Sequence, residues 1–348
     1  MTLTELSYNV RRALPYVVLF GLVFFIIFYS FKLYFIFLEA NRQDVSYTKI
    51  AFGKIEPPKL LEATSSAGFE FTLDTIEGVP VTATETANIY FMPDAPTRFG
   101  YREKIYLMAK TFGFDTTTIK HKLEGKTAVF EDKGAKLTVD IGNFNFNYAD
   151  NTIETSSLRT GSVTMSKTDI INKSIDFLKQ TGRYPDELSR GATNVIYLKY
   201  DPAHGDFVNV ERAYEASAVE VDFQRPSVGD IPVVTPKFFN SQNYVIMNFK
   251  NNEPRVIRAQ VAFYEKSEEQ YGIYPVKTGE EAWEKLKAGQ GKIVAGTAGK
   301  KNVTIKEMKL YYFDPDIYQT YFQPVYVFFG EGNFVAYVTA VKDEYLLN

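Results

Sequence analysis

The rhythm of hydrophobic and polar positions changes once along the chain, near residue 40. Residues 14–30 read LPYVVLFGLVFFIIFYS without a charge, and after Lys32 the apolar run resumes as LYFIFL, ending at Leu38. A bilayer core of roughly 30 Å takes about 20 helical residues. Residues 14–38 therefore predict one transmembrane helix, with Lys32 near one end extending its ammonium toward the headgroups. Arg11 and Arg12 precede the run, whereas Arg42 follows it between the acids Glu39 and Asp44. The positive-inside rule then places residues 1–13 in the cytoplasm and the remaining chain outside. A cleaved signal peptide would show a shorter core of about 7–15 residues and a small-residue cleavage site. A buried soluble helix would rarely be so aromatic and uncharged on every face. The expectation is an uncleaved single-pass anchor in the cell membrane, touching lipid through residues 14–38.

After the anchor the pattern predicts a stalk over residues 39–66, with Pro57-Pro58 and Ser65-Ser66, and then three rounds of helix and strands. The first α+β module covers residues 67–150. Phe69, Phe71 and Leu73 alternate with polar residues, residues 87–92 form a strand stopped by Pro93, and residues 101–112 form a helix closed by Gly113. Strands at 117–123, 126–131 and 135–141 follow, then one in which Phe144, Phe146 and Tyr148 alternate with asparagines. The second module, residues 151–270, opens with a helix capped by Ser166 and ended by Gly182, its face carrying Ile171, Ile175 and Leu178. Strands at 193–200, 207–210, 219–225, 243–249 and 256–264 complete it, and Pro226, Pro232 and Pro236 mark a long loop. The third module, residues 271–348, starts a helix with the capping box Thr278–Glu281 and adds strands at 303–313, 325–329 and 334–341. The fold class is α+β: an N-terminal transmembrane helix followed by tandem modules of a helix packed on antiparallel sheets. In the third module Trp283, the only tryptophan, shares a helix face with Leu286, and Val276 can approach it as a staple. The expectation is a buried indole on a sheet formed by Tyr311, Val325, Val327, Val335 and Tyr337, in a module with its own core.

Composition narrows the chemistry. The chain has no cysteine, which excludes disulfides, a thiolate nucleophile and cysteine-ligated metal, and two histidines, which exclude a multi-histidine site. A net charge of −3 argues against nucleic-acid binding. Apolar residues make up 45%, in the range of a folded chain. His121 and His204 have no partner at a recognisable spacing and read as exposed polar positions. Asp201-Pro202 and Asp314-Pro315-Asp316 read as turns. The sequons Asn172-Lys173-Ser174 and Asn302-Val303-Thr304 matter only on a eukaryotic secretory route. Gly289, Gly291, Gly296 and Gly299 follow a helix, the wrong side for a phosphate loop. The many phenylalanines and tyrosines read as sheet core ahead of a stacking platform.

One constellation spells a reaction. Ser46-Tyr47-Thr48-Lys49, Ser241-Gln242-Asn243 and Lys277-Thr278-Gly279 occur in the order of the S-x-x-K, S-x-N and K-T-G motifs of penicillin-recognising enzymes. There the serine opens a buried helix, so that the lysine one turn later can take its proton, and K-T-G lies along a strand. Ser46 instead stands in the extended-looking VSYTKIAF, and Thr278 reads as a helix cap. No catalytic, cofactor-binding or metal-binding residue is therefore assigned.

Residues 274–283, YPVKTGEEAW, lead through a glycine-bounded strand to Leu310-Tyr311-Tyr312, then to Gln319, residues 321–328 (YFQPVYVF) and residues 334–341 (FVAYVTAV). This run resembles the C-terminal module of YycH/YycI-type proteins, single-pass envelope proteins that regulate a sensor kinase. The helix-then-sheet units also resemble PepSY-type modules, and the whole chain resembles a group of uncharacterised bacterial membrane-anchored proteins. Residues 69–148 have no counterpart in the YycI type. The resemblance implies a non-enzymatic extracytoplasmic protein that binds a membrane or envelope protein, regulating a membrane sensor or envelope assembly. Two alternatives stand beside it: a structural spacer of an envelope complex, and a serine-type envelope hydrolase or transpeptidase using Ser46, Lys49 and Lys277.

Overall fold

The computed structural model describes residues 3–40, 48–60, 63–151, 163–250, 253–296 and 301–347. Ser46 and part of the expected stalk lie outside the described residues. The chain divides into two compact units, Met1–Tyr47 and Thr48–Asn348. The described residues of the first unit form one helix, α1 (Leu3–Ala40). Within it Leu14–Phe35 runs for 22 residues at a mean hydropathy of 2.3, with none of it buried. Among the described residues it is the one helix long and apolar enough to cross a membrane. Its place near the N-terminus fits an anchor or a signal sequence.

The second unit is α+β. Strands β1 (Thr64–Ser65), β2 (Glu70–Leu73) and β3 (Thr86–Phe91) lead to helix α2 (Tyr101–Thr111). A meander follows: β4 (Lys122–Glu124), β5 (Thr127–Asp132), β6 (Ala135–Asp140) and β7 (Phe146–Asp150). Helix α3 (Lys167–Thr181) and the short α4 (Asp186–Ser189) precede β8 (Thr193–Asp201), β9 (Asp206–Val210) and β10 (Ala218–Phe223). Then come β11 (Val233–Val234), β12 (Tyr244–Lys250), β13 (Glu253–Val261) and β14 (Tyr271–Pro275). Helix α5 (Gly279–Lys285) and strands β15 (Lys292–Ala295), β16 (Asn302–Phe313), β17 (Tyr321–Phe322), β18 (Pro324–Gly330) and β19 (Phe334–Thr339) close the chain.

These strands form three sheets whose membership crosses the expected boundaries. β4–β7 and β8–β10, β12 and β13 make one nine-stranded sheet, joined where β7 pairs antiparallel with β13. The helix-then-strands plan recurs, but its first two rounds share this sheet, and α2 and α3 pack on the same face of it around Phe130, Val221 and Phe263. The C-terminal sheet runs β1-β15-β19-β18-β16-β11, and β2 also pairs with β16. It thus recruits strands from residues 64–73 and 233–234. β3 lies between β14 and β17 in the third sheet. Strand pairing over such sequence distances leaves no trace in local periodicity.

Three local expectations change. Residues 117–121 form no strand, because Asp115 accepts hydrogen bonds from the Thr117 N–H (3.0 Å) and hydroxyl (2.6 Å) and from the Thr118 hydroxyl (3.0 Å), closing a turn. On α3 the buried row is Ile170, Ser174, Leu178 and Thr181, with Ile171 and Ile175 half-buried beside it. Ser174 and Thr181 can be hidden because their hydroxyls donate to the carbonyls of Ile170 (2.9 Å) and Leu178 (2.7 Å). Trp283 is 8% exposed, as expected of a core residue, but it meets the other face of its sheet. Its ring contacts Phe71 and Phe328 in a cluster with Leu286, Ile305, Tyr326 and Val338. Val325, Val327, Val335 and Tyr337 point the opposite way, onto Val234 and Phe313. Both faces of this sheet are covered, so alternation alone could not select the side that α5 occupies.

Candidate functional site

Of the three motifs of the acyl-enzyme reading, Lys49, Ser241 and Lys277 lie at separate places in the fold, and each is held by bonds of its own. The Lys49 N–H donates to the Ile273 carbonyl (2.9 Å) and its ammonium lies 4.9 Å from the centre of the Tyr271 ring. Ser241 is buried ahead of β12; its hydroxyl donates to the Phe223 carbonyl (2.6 Å) and accepts from the Asn243 N–H (3.0 Å). Lys277 is 3% exposed, and its ammonium bonds the carbonyls of Thr339 (3.2 Å) and Val341 and the carboxylate of Asp343 (2.8 Å). Burial pushes this lysine below its ordinary pKa, and Asp343 opposes that shift. Thr278 caps α5: its hydroxyl accepts from the Glu281 N–H (3.1 Å) while the Glu281 carboxylate accepts from the Thr278 N–H (2.7 Å). Gly279 is required by close approach, since a Cβ there would stand 2.5 Å from the Val81 carbonyl oxygen. Among the described residues no hydrogen bond or ion pair joins Lys49, Ser241 and Lys277.

The histidines stand apart as well. His121 is half-buried, not exposed, with Nδ1 3.2 Å from the Tyr106 hydroxyl, and burial and then Arg102 lower its pKa. His204 is exposed beside Asp201, which holds that carboxyl below its usual range.

The structure does assemble a charged centre that no motif announces. Arg225, two residues after β10, has a fully buried side chain between Phe263, 4.0 Å from that ring's centre, and Phe322, at 4.9 Å. Its guanidinium donates to the Tyr264 carbonyl (2.6 Å) and to Glu187 (3.2 Å). Its Nε lies 3.1 Å from Asp314 Oδ1, yet neither atom has a hydrogen-bond partner, so that contact is electrostatic and out of line. Asp314 Oδ2 accepts from the Gln242 amide (2.8 Å). Burial pushes the Asp314 carboxyl up to about 6 against the pull of Arg225. The Asp-Pro turn read from the sequence is thus also a buried anion. These residues come from the ends of all three sheets, and the guanidinium ties them together.

A second buried acid lies on β10. Val219, Val221 and Phe223 face the helices, leaving Glu220 and Asp222 on the opposite side. Asp222 is fully buried; its Oδ2 accepts from the Ser241 N–H (2.9 Å), and its Oδ1 has no donor. Burial and then the neighbouring Glu220 push its pKa up to about 8. It therefore holds a proton at neutral pH.

Several cavities open on the unit, among them three of about 560–630 Å³. One of about 560 Å³ has an aromatic floor of Phe112, Phe114, Tyr148 and Phe177 under Lys133 and Arg255. Burial, then Asp150, raises Tyr148 to about 12. A second, of about 630 Å³, is lined by charged residues and Thr278, with Glu281, Lys285 and Asp343 on its wall. The third, of about 570 Å³, runs along β16. Neither Arg225 nor Asp222 lines any of these three. Among the described residues no group of three histidine, cysteine, aspartate or glutamate side chains could hold a metal ion.

No protein-family model matches the chain, and no curated protein matches it. Among solved structures the chain is similar to an uncharacterised protein from Eubacterium rectale ATCC 33656. The two share 12% identity with a TM-score of 0.35, over 77% of this chain and 87% of that one. A likeness at that score assigns no family and carries no functional weight.

Arg225, Glu187 and Asp222 went unread in the sequence, and Gln242 was met there only as the middle of the S-x-N string. Each is an ordinary polar residue at an element's end or, for Asp222, at a position that alternation places off the helix-facing side. Only the long-range pairing that buries them makes them notable.

Proposed function

We propose that this chain is a non-enzymatic, membrane-anchored extracytoplasmic protein that binds a membrane or envelope protein, regulating a membrane sensor or envelope assembly. The observation that carries the reading is α1: a 22-residue apolar stretch long enough to cross a membrane, preceding an α+β unit with buried cores of its own. Arg11 and Arg12 orient it with the N-terminus in the cytoplasm. The resemblance of residues 274–341 to YycH/YycI-type regulators supports a role in partner binding. The acyl-enzyme alternative is disfavoured because the Lys277 ammonium is spent on two carbonyls and Asp343, and Thr278 on a helix cap.

The test is affinity purification of the full chain from detergent-solubilised membranes after in-cell crosslinking. One membrane or envelope protein should be recovered in near-equal amount. Recovery of none would overturn the partner-binding reading in favour of a spacer. Covalent labelling by a fluorescent β-lactam, lost on Ser46→Ala, would restore the acyl-enzyme reading.

A further inference from the structure

The C-terminal sheet has a gap in one edge. β16 is paired along one side by β18 from Ile305 to Tyr312, with a bulge at Lys306 and regular register from Glu307 onward. Its other side is covered by two short strands that do not meet. β2 pairs with β16 only as far as Ile305, and β11 begins pairing only at Tyr312. The last main-chain bond at one end runs from the Asp74 N–H to the Ile305 carbonyl (2.9 Å), and the first at the other from the Tyr312 N–H to the Pro232 carbonyl (2.8 Å). Lys306 to Tyr311 lie between. At about 3.3 Å per residue this opening is roughly 20 Å long.

Main-chain groups point into it. The Tyr312 N–H faces β11 while the Phe313 N–H faces the other way, to the Gln323 carbonyl (3.0 Å). Successive residues of a strand alternate in this respect, so Leu310 and Met308 direct their N–H and C=O groups to the same side as Tyr312. Among the described residues no strand or bridge pairs with that side of either residue. The space beside them is the cavity of about 570 Å³, walled by Thr75 and Val81 on one loop and Ile231 on another. An edge strand left open this way is normally blunted or covered.

We infer that this gap receives an extended segment of the partner protein, added as a strand in line with β2 and β11. Strand addition draws affinity from main-chain bonds and specificity from alternate side chains. Val81 is exposed on one wall and Ile231 half-buried on the other, and these two offer apolar surface to alternate side chains of the segment, whereas Met308 and Leu310 keep their side chains in the core and offer main chain alone. Charge selects the rest. Glu307 is paired with Lys309 (2.5 Å), whereas Glu77 and Asp230 on the two walls form no ion pair among the described residues. The segment is therefore apolar at alternate positions and carries lysine or arginine at its ends. This inference rests on the partner-binding reading above and names the chemistry of its contact.

The test uses the full chain in detergent micelles and a displayed library of random heptapeptides. Clones enriched by the wild type, and not by the groove-filling variant Ala83→Trp, should alternate apolar residues and carry basic ends. In a synthetic copy, N-methylation at every second residue should weaken binding about tenfold or more in one parity and leave it unchanged in the other, since only one edge of the peptide is bonded. Amide exchange at Met308 and Leu310 should slow when the peptide binds. Absence of enrichment, equal loss for both parities, or unchanged exchange at Met308 and Leu310 would overturn the inference. Affinity purification with Ala83→Trp separates the two levels. A partner still recovered in full would sink the groove and leave the partner-binding function standing, whereas a partner lost together with peptide binding supports both.

Discussion

Replacing Asp222 by asparagine should flatten the pH dependence of stability and stabilise the protein above neutral pH. The wild-type carboxyl is fully buried, accepts one hydrogen bond from the Ser241 N–H at 2.9 Å, and has Glu220 beside it. Its pKa is pushed up to about 8 in the folded chain, against about 3.9 for an unfolded aspartate. Between those values the folded state holds a proton that the unfolded state has released, so stability falls as pH rises through the window and levels off above about 8. Each pH unit within it is worth about 1.4 kcal/mol, so the span from pH 5 to 7.5 removes on the order of 3 kcal/mol. Asparagine keeps an oxygen for the Ser241 N–H and never ionises. Asp314, raised to about 6, adds a slope of the same sign, but it is present in both proteins and cancels in their difference. The assay is denaturant unfolding of the detergent-solubilised wild type and Asp222→Asn at pH 5 and pH 8. The variant should gain on the wild type by roughly 3 kcal/mol between the two. A stability difference that stays the same at both pH values would refute the reasoning.

Other substitutions test the packing. Trp283→Ala should cost about 3–5 kcal/mol through the cavity it leaves. Because β1, β2 and β11 belong to the same sheet, the loss should lower one shared unfolding transition of residues 48–348 rather than melt residues 271–348 alone. Before mutation, tryptophan emission should be blue-shifted and shielded from iodide, and emission like that of free indole would contradict the burial. Arg225→Met should cost about 3–5 kcal/mol by stranding the buried Asp314 carboxylate, and adding Asp314→Asn should recover part of it in a double-mutant cycle. Strict additivity of the two changes would show that they do not interact. Gly279→Ala should destabilise by about 1–3 kcal/mol, because the new methyl meets the carbonyls of Pro80 and Val81, and an unchanged melting temperature would contradict that contact.

The sequence was most legible where the physics is local. Residues 14–30 carry no charge on any face, and the Thr278–Glu281 capping box and the Ser166 cap follow from residue types three apart. Trp283 was read as core because its helix has one apolar face, but the sheet beneath is buried on both sides, so the strand pattern held no information about which face it meets. The nine-stranded sheet was hidden because the pairing of β7 with β13 joins residues over a hundred positions apart in roughly half-buried strands that look alike in any partner order. The gap beside Met308 and Leu310 was invisible for a different reason. It is bounded by strands of four and two residues, too short to show a period. Arg225 and Asp314 are unremarkable in sequence and become a buried pair only when the three sheets meet.

The anchored, extracytoplasmic placement on which the functional reading depends can be measured directly, because the chain has no cysteine to interfere. Phe99 is fully exposed, and Thr4 lies ahead of the apolar stretch. Single variants Phe99→Cys and Thr4→Cys, treated in intact cells with a membrane-impermeant maleimide, report the two sides of the membrane. The account predicts labelling at position 99 in intact cells, labelling at position 4 only after permeabilisation, and full-length chain in the membrane fraction. Protection of position 99, or a shortened chain recovered in soluble form, would contradict it.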